Sequence, residues 1–554
     1  MNKNIFASIL VSILLGLFSL GLGGCAREAI EFPGAEVPGP DAAMFVPKQA
    51  PIMVSLLANP DKLEDFLEQT TGSERGKLRR EFKEIKKGLL ADTGLDYKHD
   101  IQAWLGDEIT FAVTSLDIDR DRSNGEQPGY LVAIATESPE LSREFLEHLW
   151  ENKPLTGDQL QLENYAGVQL VYARTGPGAG ELSPLADNWA SALVGDSFVL
   201  FANHPKVLRD AINNVQAPNL NLNNNETYAS AIAELKTNLG LTFVNLPQFN
   251  SWLNKRKDGS HGKSNPSLFP VTIGLGIAPV APQGLVAQTV WQGAGIEGIP
   301  SLKSPVKALQ YLPESVSAFA AGADLKDLWA NFSDSLSEEN VIGGLLGQKL
   351  ANLDSRWGIN LPEDIFSWAQ GEYALGWLSD SDWIFVAGST GESDEVGKKL
   401  DAIATERGLS AGEIALGDLS LYAWTKLITS PSNASGETVL KPRVEGVRGS
   451  VGEYEIFASS VAAMEKAIAA PEAGSVLANE EFQQAIASLK SPNYGHLYLD
   501  WKQVRRSLER QFPFLQLVEL AAQPIFEHLR SLTLSSFGLE DGYNRADIFI
   551  RLKT

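Results

Sequence analysis

Asp100 and Glu108 stand in the run TGLDYKHDIQAWLGDE, and Asp364 and Glu372 stand likewise in WGINLPEDIFSWAQGE. Two carboxylates in one block are the raw material of general acid–base work on a glycoside, provided they face each other across a cleft. The plainer reading is that the aspartate caps a short helix, Ile101 and Trp104 plug it into the core, and the glutamate opens the next strand. The plainer reading is the one adopted, because nothing in the sequence marks a cleft. Asp117, Asp119 and Asp121 in LDIDRDRSNGE suggest a calcium loop. Arg122 and Pro128 stand where such a loop needs glycine and glutamate, which favours an acidic hairpin tip. Gly293, Gly295 and Gly298 match a dinucleotide fingerprint after a strand. Ile299 and Pro300 follow in place of a helix, so the phosphates would have no helix N-terminus to meet. The histidines, His99, His148, His204, His261, His496 and His528, show no short metal spacing. No nucleophile elbow or phosphate loop occurs. The expectation is therefore no catalytic residue, no metal and no cofactor, with a hydrolase assembled from distant residues left as the remote alternative.

The one cysteine of the 554 residues, Cys25, closes an uncharged apolar run over residues 5–22 that follows Lys3. A single thiol excludes any intrachain disulfide. The ending Leu22-Gly23-Gly24-Cys25 resembles the lipobox of bacterial lipoproteins. That resemblance implies a diacylglyceryl thioether on Cys25, cleavage after Gly24, and residues 1–24 as a signal peptide. The other reading is an uncleaved membrane helix with an incidental cysteine. A two- or three-chain anchor, at about 0.8 kcal/mol per buried methylene, holds permanently. Residues 25–42, rich in proline and glycine, read as a flexible linker. The expected location is exported and lipid-anchored, on the periplasmic or lumenal face of a membrane.

Charge points the same way as the missing motifs. With 69 acidic and 46 basic residues the net charge is −23. Nucleic-acid binding draws on clustered Lys and Arg, so that partner class is set aside.

The elements that must position these residues read as one unit written twice. FVPKQAP from Phe45 parallels YLPESVS from Tyr311, and GVQLVYA from Gly167 parallels GDLSLYA from Gly417. NETYASAIAELK from Asn225 parallels NEEFQQAIASLK from Asn479. Order and spacing are kept, giving a first repeat over 43–299, a joint over 300–307 and a second repeat over 308–554. Within a unit, a strand near Ile52 to Leu57 leads to a helix carrying Leu78, Phe82, Ile85 and Leu89. Strand runs EITFAVTSLDI and GYLVAIAT follow, then a helix capped by Ser138 with Leu141, Phe145 and Leu149 on one face. QLVYA and SFVLFAN are strands, HPKVLRDAINNV and TYASAIAELK helices, and the unit ends in a hairpin, TIGLGIAPVAPQGLVAQTVW, echoed by LTLSSFGLEDGYNRADIFIRL. Strands arriving in hairpin pairs predict an α+β class: two tandem homologous units, each a mainly antiparallel sheet with packed helices.

The doubled layout, the lipobox and the block Gly94, Asp96, Asp100, Ile101, Trp104, Gly106, Asp107 and Glu108 together resemble an uncharacterised domain-of-unknown-function family of cyanobacterial-type envelope lipoproteins. The likeness covers nearly all of the mature chain. The second copy departs from the block at Asn360 and at Gly371, which is displaced by one residue. The family implies nothing functional beyond the lipid site.

Two surfaces suggest contacts. Lys77, Arg79, Arg80, Lys83, Lys86 and Lys87 give one helix a basic face, suited to anionic headgroups or simply solvated among Glu81 and Glu84. Residues 512–526, FPFLQLVELAAQPIF, read as a core helix, or as a groove for a hydrophobic ligand. The function expected is non-catalytic binding or scaffolding at the membrane, with an envelope protein as partner. The alternative is a carrier or sensor of a lipid or pigment.

Overall fold

The computed structural model describes residues 39–59, 61, 96–121, 127–151, 159–174, 189–235, 239–253, 270–277, 284–292, 300–325, 371–378, 382–388, 393–417, 419–431, 438–505, 529–540 and 542–552. They divide into two compact units. The first holds the described residues before 293 together with Leu529 and 550–552, and the second holds those from 300 to 505 with Arg530–Phe549. Strands are numbered in chain order.

The first unit grows outward from its most apolar strand. β1 (Ile52–Leu56, IMVSL) is buried at every position, as a strand walled on both faces must be. It pairs antiparallel with β2 (Leu105–Ser115) on one side and β8 (Gly240–Asn245) on the other. Beyond β2 come β3 (Gly129–Thr136), β7 (Phe198–Ala202), β6 (Ala190–Val194), β5 (Val168–Arg174) and β4 (Gln159–Tyr165), each antiparallel to the one before. Beyond β8 come β9 (Pro270–Ile277) and β10 (Gly284–Trp291). The unit's described helices include α1 (Pro139–Glu151), α2 (Pro205–Gln216), α3 (Glu226–Ala233) and α4 (Leu246–Leu253). α2 starts where His204 accepts the Lys206 N–H and Pro205 fits the first turn. It buries Val207, Leu208, Ala211 and Ile212 with Phe45, Leu131, Phe198 and Leu200.

In the second unit β11 (Ala318–Gly322) lies between β12 (Tyr373–Trp377) and β18 (Gly495–Asp500). Outward from β12 run β13 (Trp383–Gly388), β17 (Tyr454–Ala458), β16 (Thr438–Val451), β15 (Leu419–Pro431) and β14 (Ser410–Leu416). Outward from β18 run β19 (Leu529–Glu540) and β20 (Tyr543–Leu552). Its helices are α5 (Ser393–Glu406), α6 (Val461–Ala473) and α7 (Glu480–Ala487). Leu309, Leu312, Phe319, Ile384, Val386, Ile456, Met464 and Phe482 form its core. Gly495 is fixed by geometry: at φ +149 a side chain there would run into the Ala321 carbonyl of the paired strand.

The expected class, α+β in two tandem homologous units, does not hold. Among the described residues strand accounts for 47% and helix for 30%, and the strands of each unit pair antiparallel, so the chain is mostly antiparallel sheet. The excess of strand comes from segments whose sequence hides it. β14 is exposed at four of its seven positions in a row, so its residues show no apolar alternation. β15 and β16 run on past the described strands that flank them. A strand with two wet faces is held by backbone pairing, which leaves no periodic signature.

Several local expectations are met. β1, β2, β3, the β9–β10 hairpin and helices α2 and α3 lie where the patterns placed them. Ser138 Oγ accepts the Leu141 N–H at 3.4 Å, opening α1. The inward face of α1 is shifted, however. It buries Ser142, Phe145, Leu146 and Trp150, while Leu141 is exposed. The Trp150 indole N–H donates to the buried Ser191 Oγ at 2.8 Å, and this long-range bond turns the helix.

Candidate functional site

The DI-x-x-W block is a set of interlocking caps. Asp96 Oδ1 accepts the Lys98 and His99 N–H groups, each at 3.1 Å, and starts a single wide turn over Tyr97–Ile101. Asp100 Oδ2 reaches back to accept the Asp96 N–H at 2.7 Å, which makes the cap reciprocal. His99 Nδ1 meets Asp96 Oδ1 at 2.8 Å, and that bond first of all holds the exposed Asp96 carboxyl below its usual range. The Trp104 indole donates to the Asp100 carbonyl at 2.7 Å, and its buried ring lies 5.0 Å from that of Phe145. The cap is thus Asp96, with Asp100 as its counterpart, and Ile101 is only half-buried.

Glu108 does something different from Asp100. From β2 its Oε2 accepts the Asp41 N–H at 2.9 Å and its Oε1 the Ala42 N–H at 3.0 Å. These are the first N–H groups of the 3-10 turn Asp41–Phe45, whose own N-cap residue, Pro40, offers no side-chain acceptor. Thr110 Oγ1 lies 2.8 Å from Glu108 Oε1 and 2.7 Å from the buried Ser55 Oγ. Burial raises the Glu108 pKa above the ordinary glutamate value, against the pull of Thr110 and the two backbone donors.

Glu372 repeats the device. Its carboxylate accepts the Lys307 N–H at 3.1 Å, the Ala308 N–H at 3.0 Å and the Tyr454 hydroxyl. The turn it caps, Lys307–Tyr311, has Val306 at the N-cap and so also lacks a local acceptor. Asp364 and Trp368 lie outside the described residues. Glu108 and Glu372 therefore act as acceptors for turns far off in sequence.

The remaining titratable groups are found in other places. His204 caps α2, and burial, then Arg209 and Lys206, lower its pKa. His148 is exposed on α1. His496, on β18, is buried with Nδ1 2.6 Å from Ser535 Oγ of β19 and its ring edge-on to Phe482 at 5.7 Å. Burial pushes the imidazole down to about 4. In the loop after β2, Asp119 accepts the Asp121 N–H at 2.8 Å and Asp117 the Gln127 N–H at 3.3 Å. Among the described residues no group of three or more His, Cys, Asp or Glu is placed to hold a metal ion.

Two clusters had no counterpart in the sequence reading. Arg448 of β16, nearly buried, donates through Nε to Asp401 Oδ1 of α5 at 3.0 Å and through its terminal nitrogen to Oδ2. The Trp424 indole adds 2.8 Å to the same carboxylate, and the guanidinium lies 4.3 Å over the Tyr422 ring. Arg209 of α2 forks onto Glu163 of β4 at 2.8 and 2.7 Å, and the Tyr172 hydroxyl donates to Glu163 at 2.9 Å. Both clusters fasten a helix to outer strands. Each arginine lies far along the chain from its carboxylate, 47 and 46 residues away, so no local motif announces the pair.

Cys25, the basic residues from Lys77 to Lys87, His261, the Gly293–Gly298 motif, residues 512–526 and His528 lie outside the described residues. No helix among the described residues is long and apolar enough to cross a membrane. In comparisons, the profile of a family described as a protein of unknown function (DUF3352) matches residues 5–552. No curated protein and no solved structure matches.

Proposed function

Since the chain belongs to the DUF3352 family, whose description carries no activity, we propose from its residues a lipid-anchored envelope protein of the cyanobacterial type that binds a partner and does no chemistry of its own. The single observation that carries this reading is Leu22-Gly23-Gly24-Cys25 at the end of the apolar run. Acylation of Cys25 would fix the chain to one membrane face, with residues 25–42 as the tether. The body supports a binding role through the way its candidate groups are used. Asp96, Asp100, Glu108 and Glu372 each spend carboxylate oxygens on backbone N–H groups. Such carboxylates shape secondary structure and are poorly placed to exchange protons with a substrate. The partner proposed is another envelope protein.

The test is the intact mass of the chain purified from membranes. It should lack residues 1–24 and carry the added mass of two or three acyl chains, and Cys25→Ser should retain residues 1–24 and take up no labelled fatty acid. A wild-type chain that keeps its leader, or carries no acyl group, overturns the anchor. Crosslinking in intact cells should then yield a protein neighbour. A lipid or pigment retained in native mass spectrometry would point to a carrier instead.

A further inference from the structure

The β15–β16 hairpin, the longest among the described residues, outruns the strands beside it. β14 pairs with β15 only from Leu419 to Thr425, and β17 pairs with β16 only from Val447 to Val451. Past a register shift at Trp424/Thr425, residues from Lys426↔Arg443 to Pro431↔Thr438 pair only with each other among the described residues. At the strand rise this makes an arm roughly 20 Å long. A two-stranded ribbon alone in water is marginal.

The arm is two-faced. Directly opposed residues share a face, and faces alternate along a strand. One face carries Leu427 with Pro442 and Leu440 with Thr429; the other carries Lys426 with Arg443 and Lys441 with Ile428. Leu427 is 65% exposed and Leu440 61% exposed. Lys426 and Lys441 are exposed too, and Arg443 is paired with Glu445. A protein partner reads one face, usually an apolar centre with a polar rim on that same face. Here the cations lie on the back of the apolar face. Only a medium that envelops both sides of the ribbon uses both, with leucines below the headgroups and long basic side chains reaching up to them. Local cations in a chain of net charge −23 specify that medium as anionic.

We propose that the β15–β16 arm inserts flat into the headgroup layer of an anionic bilayer, apolar face inward, as a membrane contact separate from the anchor. It does not rest on acylation of Cys25, and the test separates the two. Because the chain has one cysteine, Leu427→Cys or Leu440→Cys adds one further thiol for an environment-sensitive fluorophore. Leu162→Cys on β4, where the leucine is also 65% exposed, is the control. The full chain is reconstituted in vesicles of phosphatidylcholine with increasing phosphatidylglycerol and recovered by flotation. Probes at 427 and 440 should shift to the blue and be quenched by lipid-borne quenchers, and the probe at 162 should not. Lys426→Glu with Lys441→Glu should raise the phosphatidylglycerol fraction needed for half the shift at least threefold, on the order expected for two reversed charges. Floating chains whose 427 and 440 probes stay as aqueous as the 162 probe overturn the arm. So does a blue shift present without lipid and lost on dilution, which would mean a second copy covers the leucines. Failure of the anchor is read elsewhere, as fluorophore taken up by wild-type Cys25. In that case the arm still requires the shift at saturating anionic lipid, and its absence there overturns the arm as well.

Discussion

Among the described residues mild acid acts on His204, whose pKa burial also lowers, and most of all on His496. Its pKa is about 4 when folded against 6.5 for the free group, because burial disfavours the imidazolium. Between those values the unfolded chain binds a proton that the folded chain refuses, so stability falls as pH drops from about 6.5 to 4. The loss from this one group is on the order of 3 kcal/mol. Glu108 works in the opposite sense. Its raised pKa gives a contribution present below the ordinary carboxylate value and lost as pH rises through the folded one. His496→Leu combined with Ser535→Ala should therefore make the urea midpoint fall less between pH 6.5 and 4 than it does in wild type, with the remainder of the decline left to His204. Tyr228 offers a second residue-scale test. Its hydroxyl is buried and has no hydrogen-bond partner among the described residues, so Tyr228→Phe should leave the midpoint unchanged or raise it. A loss above about 1 kcal/mol would show an acceptor hidden in the fold.

At the scale of elements, capping sets where short helices begin. Asn225 Oδ1 accepts the Tyr228 N–H at 3.1 Å and Asn479 Oδ1 accepts the Phe482 N–H at 2.9 Å. Those bonds seat Tyr228 against Phe243, ring centres 5.4 Å apart, and Phe482 against Phe319 at 5.3 Å. Helices of eight residues hold little stability of their own, so the caps matter. Asn225→Ala and Asn479→Ala should each cost about 1 kcal/mol in equilibrium unfolding, with the aspartate variants nearly neutral. These starts were legible in NETYASAIAELK and NEEFQQAIASLK, since an asparagine before an acidic first turn needs only near neighbours to act. The inward face of α1 was not legible, because Trp150 answers to Ser191 on a different strand. The turns Asp41–Phe45 and Lys307–Tyr311 were equally silent. Their acceptors, Glu108 and Glu372, stand 64 to 67 residues further along the chain.

The molecule as a whole is acidic, with an isoelectric point near 4.8. Self-repulsion vanishes there, within the range where His496 weakens the fold, so turbidity against pH should peak near 4.8 at low salt. A peak displaced by more than about one unit would mean that bound cations or an added group carry part of the charge. By itself the sequence determined what depends on residues close together: the apolar run ending in Cys25, the charge balance, the helix caps, the central strands and the hairpins with alternating apolar faces. It also determined the block around Trp104, whose caps close within a few residues. The tertiary structure alone decided the class, because strands with two solvated faces take their stability from backbone pairing, which leaves no apolar alternation to read. It alone decided the tasks of Glu108, Asp401 and Arg448, whose partners come near only after the chain has folded. The amphipathic arm belongs with these, since which residues of 426–444 share a face follows from register, and register is a property of two strands together.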